Sequence, residues 1–458
     1  MRAFLNPASV AIVGAGERPT SSGGAVLSML RKSGYAGRIY PVNPKGGEIQ
    51  GLPAFTSLAA LPAPAELAAI LVRPDSILDV VREAAASGHR NLLILPGGFA
   101  EAGETGAQRD VALRALVAEH GLTIGGPNCA GTINLLDPKA PFAATFFRDL
   151  PRGGGVALVS QSGAIIEEAI TASHALRIPL GAVVSVGNSV QLGVVDYLAE
   201  LGADARCSAV LLYLESFGDA PRFAKVAREV SRTKPVIALV GGRTAAGREA
   251  AFRHTGSRPA DEDAVADFCR RAGIVRVTSL RRLLLAAKAF GRFPKGIGRR
   301  VLLLSNSGGP GVLATDRAID EGLRLPELPA AMAERLRAAL PPEAAVANPM
   351  DLLADAREER FLETLDAALD QGRQAFDAIL MVHVVPFMVD AGPVVTALAQ
   401  RARKSRLPIM HSMMGTLEQG AQWFDAMESA GVPMFGDVED MCVAAGLLAA
   451  HRELNAGG

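Results

Sequence analysis

His254 stands in the stretch Ala251-Phe252-Arg253-His254-Thr255-Gly256-Ser257. A neutral imidazole is nucleophilic and titrates near pH 7, so it can accept a group on a ring nitrogen and hand it on. The stretch reads as a polar, glycine-containing loop. It follows a buried strand expected over Pro235 to Val240 and the turn Gly241-Gly242-Arg243, and a helical segment is expected from Asp261 to Ala272. Alone, such a histidine reads first as a surface loop residue, and only its companions give it a task.

Those companions sit at the ends of other apolar runs. Glu215 follows Ala209–Leu214, where a carboxylate can accept from one imidazole nitrogen and leave the other free to attack. The other reading of Glu215 is a solvated loop carboxylate. Ser160-Gln161-Ser162-Gly163 ends one strand and opens a helix, and Ser307-Gly308-Gly309 repeats that design later. Backbone N–H groups at a helix start, with serine and glycine, form a phosphate cradle, although serine N-capping accounts for either loop alone.

Gly14-Ala15-Gly16 follows Val10–Val13 as a nucleotide-type turn. The dinucleotide fingerprint needs a third glycine at position 19, which is Pro19, and an acid after the second strand, where the chain has Asn43-Pro44-Lys45. Lys45 suits a phosphate better than a ribose diol, which favours an adenine nucleotide with extra phosphate and disfavours NAD. Pro96-Gly97-Gly98 and Asn128 lie in further strand-end loops expected to line the same site.

The elements that must position these loops are short apolar runs alternating with amphipathic helical segments, the pattern of parallel sheets covered on both faces. With 458 residues, 49% hydrophobic residues and 48 glycines, the chain is an α/β protein of several domains. Breaks at Asp137 to Gly154 and Phe290 to Arg300 place domains at 1–140, 150–290 and 300–458. Lys+Arg and Asp+Glu balance at 47 each, which leaves no basic footprint for nucleic acid. The four cysteines form no CxxC pair, so no metal site is expected and a reducing compartment is. No apolar run has the length of a membrane helix, and no signal peptide is evident. A cytoplasmic location is expected.

Taken in order, these loops resemble the α-subunit of NDP-forming acetate/acyl-CoA synthetases, in the succinyl-CoA synthetase superfamily. The motifs are Val13-Gly14-Ala15, Pro44-Lys45-Gly46, Gly98-Phe99-Ala100-Glu101, Gly126-Pro127-Asn128-Cys129, Ser160-Gln161-Ser162-Gly163, Leu214-Glu215, His254-Thr255-Gly256-Ser257, Ser305-Asn306-Ser307-Gly308-Gly309-Pro310-Gly311 and Asn348-Pro349-Met350-Asp351-Leu352. The resemblance implies a Rossmann-like CoA-binding domain followed by two flavodoxin-like ligase domains. It implies that coenzyme A is a substrate, that His254 is phosphorylated and that Glu215 orients it. It further implies two phosphate-stabilising helices, one at Ser160 to Gly163 and the other at Ser307-Gly308-Gly309, with the loop after His383 as a competitor. No ATP-grasp portion is recognised, so a separate ATP-grasp β-subunit is expected to carry ATP/ADP and Mg within a hetero-oligomer acting on a small carboxylic acid or acyl-CoA.

Three departures from the family pattern stand out: Arg253 with Arg258-Pro259-Ala260 around the histidine, Val240 in place of a lysine, and Ser189-Val190-Gln191 in place of acidic residues. A non-catalytic CoA- or acyl-CoA-binding regulatory module is the alternative reading.

Overall fold

A computed structural model describes residues 1–255, 261–387 and 390–456; the side chains of His254, Thr255 and Ala456 also lie outside that description. The chain divides into two compact units, Met1–Ala287 and Lys288–Gly458.

The first unit contains two large sheets. Strands β1 (Ser9–Val13), β2 (Arg38–Val42), β3 (Leu67–Ile70), β4 (Asn91–Ile94) and β5 (Thr123–Gly125) form a five-stranded parallel sheet in the order β2-β1-β3-β4-β5. Val10, Ala11, Ile12 and all of β3 are buried because helices cover both faces. This is why the strands read as continuous apolar runs. Helix α1 (Ser22–Lys32) follows the β1 loop, capped by Ser21, whose hydroxyl accepts from the Gly24 N–H.

The second sheet has seven strands. They are β6 (Gly131–Asn134), β7 (Phe142–Thr145), β8 (Val156–Ser160), β9 (Leu180–Ser185), β10 (Ala209–Leu214), β11 (Val236–Val240) and β12 (Val275–Val277), in the order β12-β11-β10-β8-β9-β6-β7. The first five in that order are parallel, while the β6–β7 hairpin adds antiparallel strands at one edge. The stretch 137–154, which composition marks as a break, thus contains β7. Its Phe142, Ala143 and Ala144 are buried against the sheet rather than exposed in a linker. Helix α2 (Gly163–Ala175) leaves the end of β8.

The second unit is built on β13 (Val301–Ser305), β14 (Met350–Asp351), β15 (Ala378–Val385), β16 (Ile409–Gly415) and β17 (Met434–Phe435), all parallel in the order β14-β13-β15-β16-β17. In each sheet the first parallel strand lies between the second and third. The chain therefore winds outward in both directions from it and opens a crevice at the carboxyl ends of those central strands.

One expectation about local structure is corrected. The histidine stretch is not a loop up to His254: helix α3 (Ala245–Thr255) carries that residue in its last turn. Ala245, Ala246, Arg248, Glu249, Ala250 and Ala251 are good helix formers, and Thr244 starts the helix by accepting the Gly247 N–H on its hydroxyl. Gly247 is tolerated in the first turn. The expected helix after it is α4 (Glu262–Arg271), capped by Asp261. Residues Gly256 to Ala260, including the Arg258-Pro259-Ala260 departure, lie outside the described residues.

Candidate active site

The crevice of the first sheet opens between β1 and β3. Gly14 adopts φ 91°, and its N–H and that of Ala15 bond the Val42 carbonyl at 3.0 and 3.2 Å. A Cβ at Gly14 would meet the Leu71 carbonyl oxygen at 2.5 Å, so glycine is required by close approach as well as by φ. The loop is pinned from the β2 side. The Asn43 amide donates to the Ala15 carbonyl at 2.8 Å, and its oxygen accepts the Lys45 N–H at 3.0 Å. Lys45 is thereby fixed beside Gly14–Gly16 with its side chain exposed.

The third glycine missing at Pro19 has a replacement further along. A Cβ at Gly23 would lie 2.0 Å from the Gly14 carbonyl oxygen, so this glycine lets α1 approach the turn. The Gly23-Gly24 pair was a legible signal at an unexpected spacing.

A cavity of about 660 Å³ lies at these strand ends, lined among others by Arg73, Pro96, Gly97, Asn128, Gly163 and Glu167. Pro96, Gly97 and Asn128 are therefore brought together with the start of α2, as their strand-end positions imply. A second cavity of about 540 Å³, bordered by Thr20, Ser21, Lys32 and Arg148, shares Ser22, Phe146 and Phe147 with the first. Arg73 lines the first cavity, Lys32 and Arg148 the second, and two phenylalanines lie among the residues they share. Gly14–Gly16 and Lys45 do not line either cavity directly.

At the crevice of the second sheet the Ser160 hydroxyl accepts the Ser162 N–H at 3.0 Å and donates to the Ser162 carbonyl at 2.7 Å. This tight turn starts α2, whose Gly163 and Ala164 line the cavity, and a helix start favours an anion through its dipole. Gln161, expected as a phosphate contact, has another task. Its side-chain oxygen accepts the N–H groups of Glu215 and Ser216 at 2.5 and 3.1 Å. Glu215 is 9% exposed, and its carboxylate is hydrogen-bonded to Tyr213. Burial first, and then that carboxylate, raise the Tyr213 hydroxyl above its ordinary pKa. Val240 is paired with Leu214 at the end of β11, so the lysine departure puts an apolar side chain beside the Glu215 strand end.

The third sheet repeats this geometry. The Ser305 hydroxyl accepts the Ser307 N–H at 3.0 Å and donates to the Ser307 carbonyl at 2.7 Å, and helix α5 (Gly308–Asp320) starts at once. Asn306 takes the place of Gln161, binding the Val384 N–H and carbonyl, each at 2.8 Å. Gly308 and Gly309 are exposed, and a Cβ on Gly309 would meet nothing within 4 Å. The competing loop after His383 begins inside β15, and the next helix among the described residues starts at Gly392.

No group of three or more metal-ligating side chains is found among the described residues. None of their helices is long and apolar enough to cross a membrane.

Three family models match in succession: a CoA binding domain over residues 8–134, a succinyl-CoA ligase like flavodoxin domain over 153–290 and a ligase-CoA domain over 301–452. The chain is 32% identical to the α-subunit of acetate–CoA ligase [ADP-forming] II of Pyrococcus furiosus, across 99% of this chain and 98% of that protein. It belongs to the ADP-forming acyl-CoA ligases, as an α-subunit. A 4-hydroxybutyrate–CoA ligase [ADP-forming] of Nitrosopumilus maritimus is 28% identical over 94% of this chain but only 61% of its own length. The acetyl-coenzyme A synthetase 1 of Ca. Korarchaeum cryptofilum, solved with phosphate and ADP, superimposes with a TM-score of 0.91 at 28% identity, covering 99% of this chain and 97% of that one.

The ligase α-subunit contains residues that strand-end reading missed. Glu101 and Asn188 join the two sheets beside the cavity, and Gln191 binds the Ile124 N–H at 2.7 Å and the Leu122 carbonyl at 3.2 Å. The Ser189-Val190-Gln191 departure is thus a strap laid along the edge of β5. The lone signal for it was a polar residue alternating with apolar ones.

Proposed function

We propose that this ligase α-subunit binds coenzyme A on its first sheet and carries a phosphoryl group on His254 between an acyl phosphate and a nucleoside diphosphate. The observation that carries the reading is the pairing, at one crevice, of an anion-ready helix start at Ser162-Gly163 with a buried carboxylate, Glu215, fixed by Gln161. A non-catalytic CoA- or acyl-CoA-binding regulatory module needs neither.

Phosphate attacks the acyl carbon of acyl-CoA, the C–S bond breaks, and coenzyme A leaves as thiolate while acyl phosphate forms. A ring nitrogen of His254 then attacks phosphorus, the P–O bond to the acyl group breaks, and the carboxylic acid departs as its anion. The β-phosphate oxygen of ADP finally takes the phosphoryl group from nitrogen, giving ATP. Glu215 accepts from the other ring N–H and selects the attacking tautomer. The start of α2 at Ser160 to Gly163 stabilises the transferred phosphoryl charge, and the start of α5 at Ser307, Gly308 and Gly309 offers a phosphate cradle of the same design on its own unit. Coenzyme A binds across the carboxyl ends of the first sheet, with its thiol arm at Pro96, Gly97, Gly98 and Asn128 beside the first cavity and its phosphates outside that cavity, at Gly14, Ala15, Gly16 and Lys45.

The nucleotide and Mg are supplied by an ATP-grasp β-subunit. The three doubly wound sheets occupy the described residues, and the chain spans nearly all of a relative named as an α-subunit. The acid is a small carboxylic acid, in line with relatives named for acetate and 4-hydroxybutyrate. Four free, buried cysteines suit a reducing, cytoplasmic setting.

The test is reconstitution. This chain mixed with an ATP-grasp β-subunit should form ATP from acyl-CoA, phosphate and ADP, and this chain alone should form none. ATP production by the isolated chain would overturn the two-subunit reading.

A further inference from the structure

Glu101 sits one turn beyond the Pro96–Gly98 loop, and its carboxylate is committed. One oxygen accepts the Gly98 N–H at 2.6 Å and the Phe99 N–H at 3.2 Å, and the other accepts the side-chain amide of Asn188. The Asn188 oxygen in turn accepts the amide of Asn128 at 3.1 Å. Gly97 fits between them: a Cβ there would lie 2.8 Å from the Glu101 carboxylate and 3.1 Å from the Asn128 side-chain oxygen. Arg109 completes the frame by donating to the Gly98 carbonyl at 2.7 Å while paired with Asp75 at 2.6 Å.

Asn188 belongs to the second sheet's side of the unit. Its N–H bonds the Pro127 carbonyl at 2.9 Å, and a Cβ at Gly187 would meet that oxygen at 2.2 Å. The bridge therefore runs from the cavity-lining loop of the first sheet, through two side chains, to the loop that follows β9. Burial alone would raise the Glu101 carboxyl, but the hydrogen bonds from Asn188, Gly98 and Phe99 outweigh it and hold the group below the usual carboxylate range.

We propose that Glu101 and Asn188 are positioning residues that lock the Gly97–Phe99 loop and Asn128 in the geometry that receives the thiol arm of coenzyme A. The inference rests on the ligase reading above. A charged acceptor serving three N–H donors is strong because ionised hydrogen bonds exceed neutral ones, and it spans two elements that side-chain packing alone would leave free to shift. The carboxylate touches no reacting atom; it acts through the loop.

The test uses the full chain with its β-subunit and three variants. Asn188→Asp sets two carboxylates face to face, and Glu101→Ala removes the acceptor. In the double variant Glu101→Gln/Asn188→Asp, amide and carboxylate exchange places and every donor again meets an acceptor. Each single variant should raise the Kd and KM for coenzyme A by ~10-fold or more, the scale of losing a charged hydrogen bond. Labelling of His254 from ATP, which needs no coenzyme A, should be unchanged. The double variant should recover affinity to within ~3-fold of the parent, a small residual on the scale of one imperfect hydrogen bond.

Wild-type affinity in both single variants, or no recovery in the double variant, overturns the proposal. Should Asn188→Asp fail to fold, Glu101→Ala alone decides it by its Kd. Absent His254 labelling in every protein, including the parent, would instead indict the ligase reading. Calorimetric titration of coenzyme A keeps the bridge testable in that case.

Discussion

The side-chain oxygen of Gln161 accepts the backbone N–H of Glu215 at 2.5 Å, tying the loop after β8 to the end of β10 across the crevice of the second sheet. The amide thus fixes the carboxylate's backbone relative to the start of α2, which follows Gln161 directly. Gln161→Leu leaves the Glu215 and Ser216 N–H groups without their acceptor and lets Glu215 drift. It should slow His254 phosphorylation by ~10-fold or more, since misplacement near 1 Å is costly in transfer chemistry. Coenzyme A titration should be unaffected. Rapid-quench phosphorylation kinetics set beside that titration check both halves.

Asn306 plays the corresponding part in the third sheet, and it is 1% exposed. Asn306→Leu strips partners from both the N–H and the carbonyl of Val384. A cost of ~1–3 kcal/mol is expected for buried backbone groups left unpaired. Urea unfolding of the purified chain should show it as a lower midpoint for the transition of the second unit, with the first unit's transition unmoved.

The fold class was legible because buried parallel strands announce themselves as uninterrupted apolar runs, and the loops after β1, β8 and β13 each carry small residues that permit close approach. The helical state of the His254 segment was obscured by Gly247 and by the polar side chains around it. The work of Gln161, Asn306, Glu101 and Asn188 could not be read. A side-chain amide bonding a backbone 54 or 78 residues away leaves no periodic trace. The twin Ser-Gln-Ser-Gly and Ser-Asn-Ser-Gly turns were visible as residues, yet their equivalence rests on matched hydrogen bonds.

The stability of the third sheet should fall in acid. His383 and His411 stack with ring centroids 5.8 Å apart, both buried, and both nitrogens of His411 lack a partner among the described residues. Burial pushes the His383 imidazole down to about 4, and burial with the neighbouring ring pushes His411 well below its usual value. Each folded-state pKa is depressed, so the unfolded chain binds more protons between the two values. The stabilisation is complete above the unfolded value near 6.5 and is lost as pH falls toward 4. His411→Leu should flatten this limb and leave stability at pH 8 equal or higher, because an unpartnered polar ring is removed. Chemical unfolding at pH 8, 6 and 5 checks it, and an unchanged acid limb would count against the pair.

Lys45 is held by Asn43 beside Gly14–Gly16 and has no acidic partner among the described salt bridges. Lys45→Ala should weaken coenzyme A by ~10-fold, as for one partly screened phosphate contact. Dephospho-coenzyme A should discriminate less between the two proteins. Equal loss for both ligands would place Lys45 against the pyrophosphate rather than the ribose phosphate.

His254 lies in the last turn of α3, and this position bears on how a phosphohistidine survives there. The C-terminal end of a helix carries partial negative charge, so the phosphorylated ring gains nothing from its own helix. Its added charge would have to be met by N-termini elsewhere, and under the proposed relay the start of α2, whose Gly163 lines the cavity, is the one assigned that task. Incubation of the reconstituted complex with labelled ATP and Mg²⁺ should therefore give an acid-labile, base-stable label on this chain. His254→Ala should abolish it while leaving coenzyme A binding nearly unchanged, because the loops assigned to that ligand belong to the first sheet. Glu215→Gln keeps the shape but offers the ring a weaker acceptor, and it should slow labelling by ~10²-fold, the scale of losing an acid–base or orienting group. Gly163→Pro removes an N–H from the α2 start, and the labelled form should then hydrolyse faster at equal Glu215 content. A label that persists in His254→Ala would move the phosphoryl carrier to another residue and leave Glu215 with no imidazole to orient.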